Sequence, residues 1–193
     1  MPSKHHIDDL RELAAEDLLA YCQDCPEYVH EMDDFDESPL MAACGLGRTD
    51  LVQVLLESGA KVNFVADDGE SPLKSAVYSS RENLNRELFD LLIAAGVEPN
   101  RGNEPALHVA VGQGNRDVVR YLVEHGADPN MRDVDGAPPI FWARANSKRP
   151  DVVMMGLLVS LGADLSLCDG VGQTVEQRFG REIIAEILRH SVD

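Results

Sequence analysis

The sequence predicts an all-α repeat solenoid, and three observations carry that prediction. First, a phrase returns about every 33 residues. Ser38-Pro39-Leu40-Met41-Ala42-Ala43 becomes Ser71-Pro72-Leu73-Lys74-Ser75-Ala76. It returns more loosely as Pro105-Ala106-Leu107-His108-Val109-Ala110 and as Pro138-Pro139-Ile140-Phe141-Trp142-Ala143. Second, another phrase falls about 19 residues after the first. It reads Leu55-Leu56-Glu57-Ser58-Gly59-Ala60-Lys61-Val62-Asn63, then Leu122-Val123-Glu124-His125-Gly126-Ala127-Asp128-Pro129-Asn130. Third, apolar residues such as Leu51, Val52, Leu55 and Leu56 recur at helical spacing. A fixed period of this length denotes stacked supersecondary units, none of which buries its apolar face alone.

Each element follows from local chemistry. Ser38 and Ser71 precede a proline and an apolar stretch. A serine hydroxyl accepts from orphan amides of a first helical turn, and proline at the first position wastes no donor. Ala42 and Ala43 are small enough for close helix approach. Gly47 and Gly114 stand where the first helix ends. Gly59, Gly96, Gly126 and Gly162 follow the second helix, where a left-handed residue terminates it. Asp67-Asp68-Gly69 and Asp133-Val134-Asp135-Gly136 then predict a hairpin turn.

These phrases resemble the ankyrin repeat, Gly-x-Thr-Pro-Leu-His-x-Ala-Ala followed by Val-Val-x-Leu-Leu-Leu-x-x-Gly-Ala-Asp-Val-Asn. Its key leucine is Leu40, Leu73, Leu107 and Ile140. Stepping back one period reaches Ile7; Leu10 then takes an alanine slot, and Asp17 to Cys22 take the second helix. Stepping forward reaches Glu176, where Gly172-Gln173-Thr174-Val175 keeps the turn but the leucine is gone. The resemblance therefore implies one domain, residues 1–193, built as an ankyrin-repeat stack with a helix–turn–helix and a β-hairpin finger per repeat. Four good repeats (about 37–69, 70–103, 104–136 and 137–172) lie between degenerate caps at about 5–36 and 173–193. Asp8, Asp9, Arg11 and Glu12, and at the other end Arg178, Arg181, Glu182, Glu186 and Arg189, make the outer cap faces polar. The expectation is a complete, self-capped protein.

Charge is the second informative feature. The formal net charge is −17, and residues 1–40 alone hold twelve acidic side chains against Lys4 and Arg11. The acids concentrate at fingertips: Glu31-Met32-Asp33-Asp34-Phe35-Asp36-Glu37 and Ala66-Asp67-Asp68-Gly69-Glu70. Such tips attract a basic protein and repel nucleic acid and anionic membranes. No apolar run is long enough to span a bilayer, and the N-terminus lacks an apolar leader core, so the expectation is a cytoplasmic protein. No heptad pattern is present, so the chain is expected to be a monomer on its own.

Repeat lengths vary. Ser79 to Arg86 contains about four extra residues, and Ala145 to Pro150 about three. The third finger, Asn100-Arg101-Gly102-Asn103, reaches Leu107 in seven steps where its counterparts take ten. A shortened finger predicts a notch able to receive part of a partner. Loops joining helices also drift neutrally.

Candidate chemistry is sparse. Cys22-Gln23-Asp24-Cys25 has metal-ligand spacing, with His5, His6 and His30 nearby in sequence, but a second pair is missing and Cys22 falls on a buried leucine slot. No phosphate-binding, nucleophile-elbow or zinc-protease motif is present. His108 occupies the family's histidine slot, which the resemblance makes structural. The reading is no enzyme, no cofactor and no metal.

The resemblance implies that partners lie across the fingers and a concave face lined by first helices. Carried onto this sequence, the partner-binding positions are Asp34, Phe35, Glu37 and Leu46, then Asp67, Asp68, Glu70 and Tyr78. They continue with Glu104 and Gln113, then Val134, Asp135, Ala137 and Asn146, and end at Gln173. Phe35 is the best anchor, because a fingertip aromatic has little core to enter, whereas Trp142 is expected between helices. Three roles compete: a dedicated inhibitor of antitoxin or immunity type, a general adaptor, and a structural or designed scaffold without a natural ligand. Small size and acidic bias favour the inhibitor. Irregular loop lengths argue against consensus design.

Overall fold

The computed structural model describes residues 8–102, 104–146 and 149–191. His5, His6, Asn103, Ser147 and Lys148, which figured in the sequence reading, lie outside the described residues. Two compact bodies are formed: residues up to 80 with 84–102, and 81–83 with the chain beyond 103.

The N-terminal body opens with a 3-10 turn, Asp8–Arg11, then helix α1, Ala15–Asp24, and a second 3-10 turn, Pro26–His30. Two helical pairs follow: α2 (Pro39–Gly45) with α3 (Thr49–Glu57), and α4 (Pro72–Ser79) with α5 (Arg86–Ala94). The caps are the predicted ones. Ser38 Oγ accepts from the Met41 N–H at 3.2 Å, and Ser71 Oγ from the Lys74 N–H at 3.3 Å. Helix α2 packs on α3 and α4, and α1 on α3. Leu40, Leu51, Leu55, Leu88, Phe89 and Leu92 are buried in the resulting seam. Each such side chain contributes about 1.5–3 kcal/mol of burial.

Arg48 fastens the opening cap to the first repeat. Its guanidinium donates to the carbonyls of Leu10, Arg11 and Leu13 at 2.8–3.1 Å and reaches both carboxylate oxygens of Asp50. The planar fork suits this multiple role better than an ammonium would. The extra residues after Ser79 form a turn that delivers Asn85. Its Oδ1 caps α5 through the Leu88 N–H, and its Nδ2 donates to Thr49 Oγ1 at 3.2 Å.

The C-terminal body contains α6 (Ala106–Gln113), α7 (Arg116–Glu124), a 3-10 turn (Pro139–Trp142), strands β1 (Arg144–Asn146) and β2 (Arg149–Pro150), α8 (Val152–Ser160), α9 (Val175–Phe179) and α10 (Glu182–His190). One expectation is corrected here. The first helix of the fourth repeat is a single 3-10 turn, and the insertion is a short antiparallel ribbon pairing Arg144 with Pro150. The reason is that Ala143 turns extended and its carbonyl accepts the Asp151 N–H at 2.9 Å, so the chain leaves the helical path.

The closing cap replaces the missing leucine with Val175, which is buried, and starts α9 with a capping box between Thr174 and Gln177. Helix α10 crosses α8 at Gly156, where a Cβ would lie 2.5 Å from the Cβ of His190. Ile183 and Ile187 face inward, while Arg181, Glu182, Glu186 and Arg189 face solvent.

Candidate protein-docking surface at the fingertips

Four of the fingers share one construction. In the first, the Asp33 N–H donates to the Glu37 carbonyl and the Asp36 N–H to the Asp33 carbonyl; the same pair of bonds recurs at Ala66 to Glu70, Asp133 to Ala137 and Asp169 to Gln173. Two bonds close each tight hairpin turn, and in these described fingers an isolated bridge, Cys168 with Thr174, is the nearest approach to a ladder. Where the turn opens with aspartate, the side chain reinforces it. Asp33 Oδ1 accepts from the Phe35 and Glu37 N–H groups, and Asp169 Oδ1 from those of Val171 and Gln173. Asp133 Oδ1 accepts from the Ala137 N–H. The turn residue is Gly69, Gly136 or Gly172 in three fingers, and Asp36, with φ of 59°, in the first.

Sequence-predicted positions fall into two groups. In the N-terminal body, Asp34, Asp67 and Asp68 are exposed, and Phe35 is 84% exposed between Asp34 and Asp36. Glu37 and Glu70 are half-buried. Burial, then Asp33, then Glu70 push the Glu37 carboxyl above its usual range, so the first two fingers share one negative field. Glu70 pairs with the buried Lys74 at 3.2 Å. Leu46 is half-buried at the end of α2, and Tyr78, at the end of α4, is 47% exposed.

In the C-terminal body, Val134 and Asp135 are exposed on one tip and Gln173 on the next turn. Ala137 is engaged internally, its carbonyl 3.1 Å from His108 Nε2 and its N–H on Asp133. Glu104 and Gln113 are half-buried. Asn146 lies in β1, and its side chain falls outside what is described. The sequence reading missed Val171, which is 78% exposed on the tip that follows; Val134 is 69% exposed. Its signal was Asp169-Gly170-Val171-Gly172, a finger of the same Asp-x-x-Gly form as Asp133 to Gly136. The two tips abut: a side chain at Gly170 would run into the Asp135 carbonyl.

Other predicted residues are structural. His108 is buried and bridges to the Ala137 carbonyl, and Trp142 stacks edge-on against it at 5.7 Å between ring centroids. Burial raises the thiols of Cys22 and Cys44 above their ordinary values. Cys25 caps the end of α1. Among the described residues, no group of three or more His, Cys, Asp or Glu side chains is placed to hold a metal ion. Nor is any helix among them long and apolar enough to cross a membrane.

A family profile described as ankyrin repeats in three copies matches residues 10–102 and again 81–169. The chain belongs to the ankyrin-repeat family. As an ankyrin-repeat protein it is a protein–protein interaction module. It is similar to human BCL-6 corepressor-like protein 1, at 32% identity over 67% of this chain and 7% of that protein. It is similar to mouse ankyrin repeat and SOCS box protein 14, at 28% identity over 68% of this chain and 23% of that one. A protein of Dirofilaria immitis named L-asparaginase aligns at 30% identity over 65% of this chain and 21% of its own length. The chain spans less than a quarter of the length of each of these curated relatives, from 7% to 23%.

Proposed function

We propose that this ankyrin-repeat protein binds one basic protein partner through its acidic fingertips, without catalysis, as a dedicated inhibitor. The observation that carries the reading is Phe35, an aromatic 84% exposed on a turn that also holds Asp33, Asp34 and Asp36. An apolar anchor inside a charged rim is the usual arrangement of a binding hot spot. The acids of the neighbouring tip, Asp67 and Asp68, extend the same field. Turns closed by backbone bonds and aspartate side chains lose little freedom on docking, which favours tight association. The field steers a cationic surface and repels polyanions, so nucleic acid and anionic membranes are not partners. On this reading the chain works in the cytoplasm, as a monomer until its partner arrives.

A general adaptor is the second reading, favoured by Val134 and Val171, which offer an apolar patch on a separate pair of tips. Affinity capture from host extract, with mass spectrometry and a salt series, separates the two. The inhibitor reading expects one basic protein at near-equal stoichiometry, with association slowing as salt rises. Several unrelated proteins would select the adaptor. A single partner whose association ignores salt would overturn the electrostatic mechanism.

A further inference from the structure

The N-terminal body also carries a groove of the opposite character to its fingertips. It has a volume of about 480 Å³ and is lined by Lys61, Val62, Asn63, Phe64, Val65 and Arg101. That size lies within the range that accommodates small ligands or a short peptide stretch. Its apolar lining comes from Val62, which is buried, and from Phe64 and Val65, which are half-buried. Both ionisable side chains that line it are cations, in a chain whose formal net charge is −17. Lys61 is exposed and has no ion pair among the described residues; Arg101 is exposed and meets Glu98 at 3.3 Å. The frame is fixed. Asn63, in the wall, donates to the Gly96 carbonyl at 2.9 Å and accepts from the Glu98 N–H at 2.7 Å, holding the turn that bears Arg101. Gly102, with φ of +95°, brings that turn against Val65.

We propose that this groove receives an acidic peptide segment of a protein partner, with an apolar side chain on Phe64 and Val65 and its flanking carboxylates on Lys61 and Arg101. The complementarity is local. An ammonium with no ion pair among the described residues and a guanidinium shared with one exposed glutamate leave donor capacity that a carboxylate fills, and the Phe64 and Val65 surface rewards an apolar side chain between the acids. Among the described residues, the Glu98 carboxylate pairs with Arg101 and is the competitor a bound carboxylate meets there. The site lies at the base of the finger whose tip carries Asp67 and Asp68, with the turn after Arg101 against Val65 and Gly69, but it does not depend on the proposed role of the tips.

The test is a nitrogen-15 shift titration of the full chain with three probes. They are acetyl-Glu-Glu-Phe-Leu-Glu-Glu-amide, the same peptide with glutamine for every glutamate, and inorganic phosphate. The acidic peptide is expected to move the amides of residues 61–65 and 101, with the glutamine peptide at least about tenfold weaker. Lys61→Glu and Arg101→Glu, both at exposed positions, are each expected to weaken the acidic peptide about tenfold while leaving the spectrum otherwise intact. Equal binding of the glutamine peptide, indifference to both charge reversals, shifts confined to the fingertips, or phosphate matching the peptide would each overturn the proposal.

Discussion

The indole N–H of Trp142 donates to Oδ2 of Asp133 at 2.8 Å, while Oδ1 of the same carboxylate accepts from the Ala137 N–H at 2.8 Å. One aspartate therefore closes its own finger and orients the aromatic of the next 3-10 turn. Trp142 in turn lies over Gly112, where a Cβ would come within 3.2 Å of Cε3. Asp133→Ala removes the turn cap and strands a half-buried donor. A loss of about 2 kcal/mol is expected, read by urea unfolding. Trp142 is the sole tryptophan, so its emission reports the change directly and is expected to shift to the red. Unchanged emission and stability would show that the carboxylate is not holding the ring.

His108 predicts a pH dependence. Burial is the largest influence and lowers its pKa below the ordinary 6.5, against opposing help from the Ala137 carbonyl, Asp133 and Glu104. Among the described residues its buried Nδ1 makes no well-formed hydrogen bond, and the Pro105 carbonyl adds only the smallest of the opposing influences. The unfolded chain therefore takes up a proton before the folded one does. Stability is full above about pH 6.5 and falls as pH drops from there toward the depressed folded value. Denaturation between pH 7.5 and 5.5 is expected to show this decline, and His108→Leu to flatten it whatever its absolute stability. An equal slope in the variant would assign the decline to other groups.

Asp36 is the one non-glycine with positive φ among the described residues, in a place that glycine fills in the other three fingers. Left-handed backbone is costly for a residue bearing a Cβ. Asp36→Gly is expected to stabilise the chain by up to about 1 kcal/mol, seen as a higher urea midpoint. A lower midpoint would mean that the Asp36 side chain supplies something the turn needs.

Close backbone approach makes two glycines intolerant. A Cβ at Gly156 meets the Cβ, carbonyl carbon and oxygen of His190, and one at Gly170 meets the Asp135 carbonyl. Gly156→Ala and Gly170→Ala are each expected to cost about 1–3 kcal/mol through forced displacement. Hydrogen exchange is expected to speed in α10 for the first and in the finger from Asp169 to Gln173 for the second. Gly114, where a Cβ meets nothing within 4 Å, offers a contrast: its φ of +74° strains alanine without any clash.

Much of this fold was legible because its determinants are local and repeated. Ser38 and Ser71 cap as a serine before proline should, and the glycines after each second helix mark their ends. The fourth repeat was less legible. Pro138-Pro139-Ile140-Phe141 keeps the phrase, but the insertion beyond it pairs with itself, a contact that periodicity does not encode. Arg48 was missed for the same reason: its partners, Leu10 to Leu13, lie 35 to 38 residues away in sequence. At the fingertips, the exposure of Phe35 followed from its acidic neighbours. Val171 escaped notice because the leucine that sets the register is absent from the closing cap.

The most direct measurement compares two baits in one capture experiment: the wild-type chain and Phe35→Ala, both checked for an unchanged unfolding midpoint. Phe35 is almost fully exposed, so its truncation leaves the fold alone. The fingertip account predicts a protein retained by the wild type and bound at least about tenfold more weakly by the variant. Equal retention of every captured protein by the two baits would contradict it.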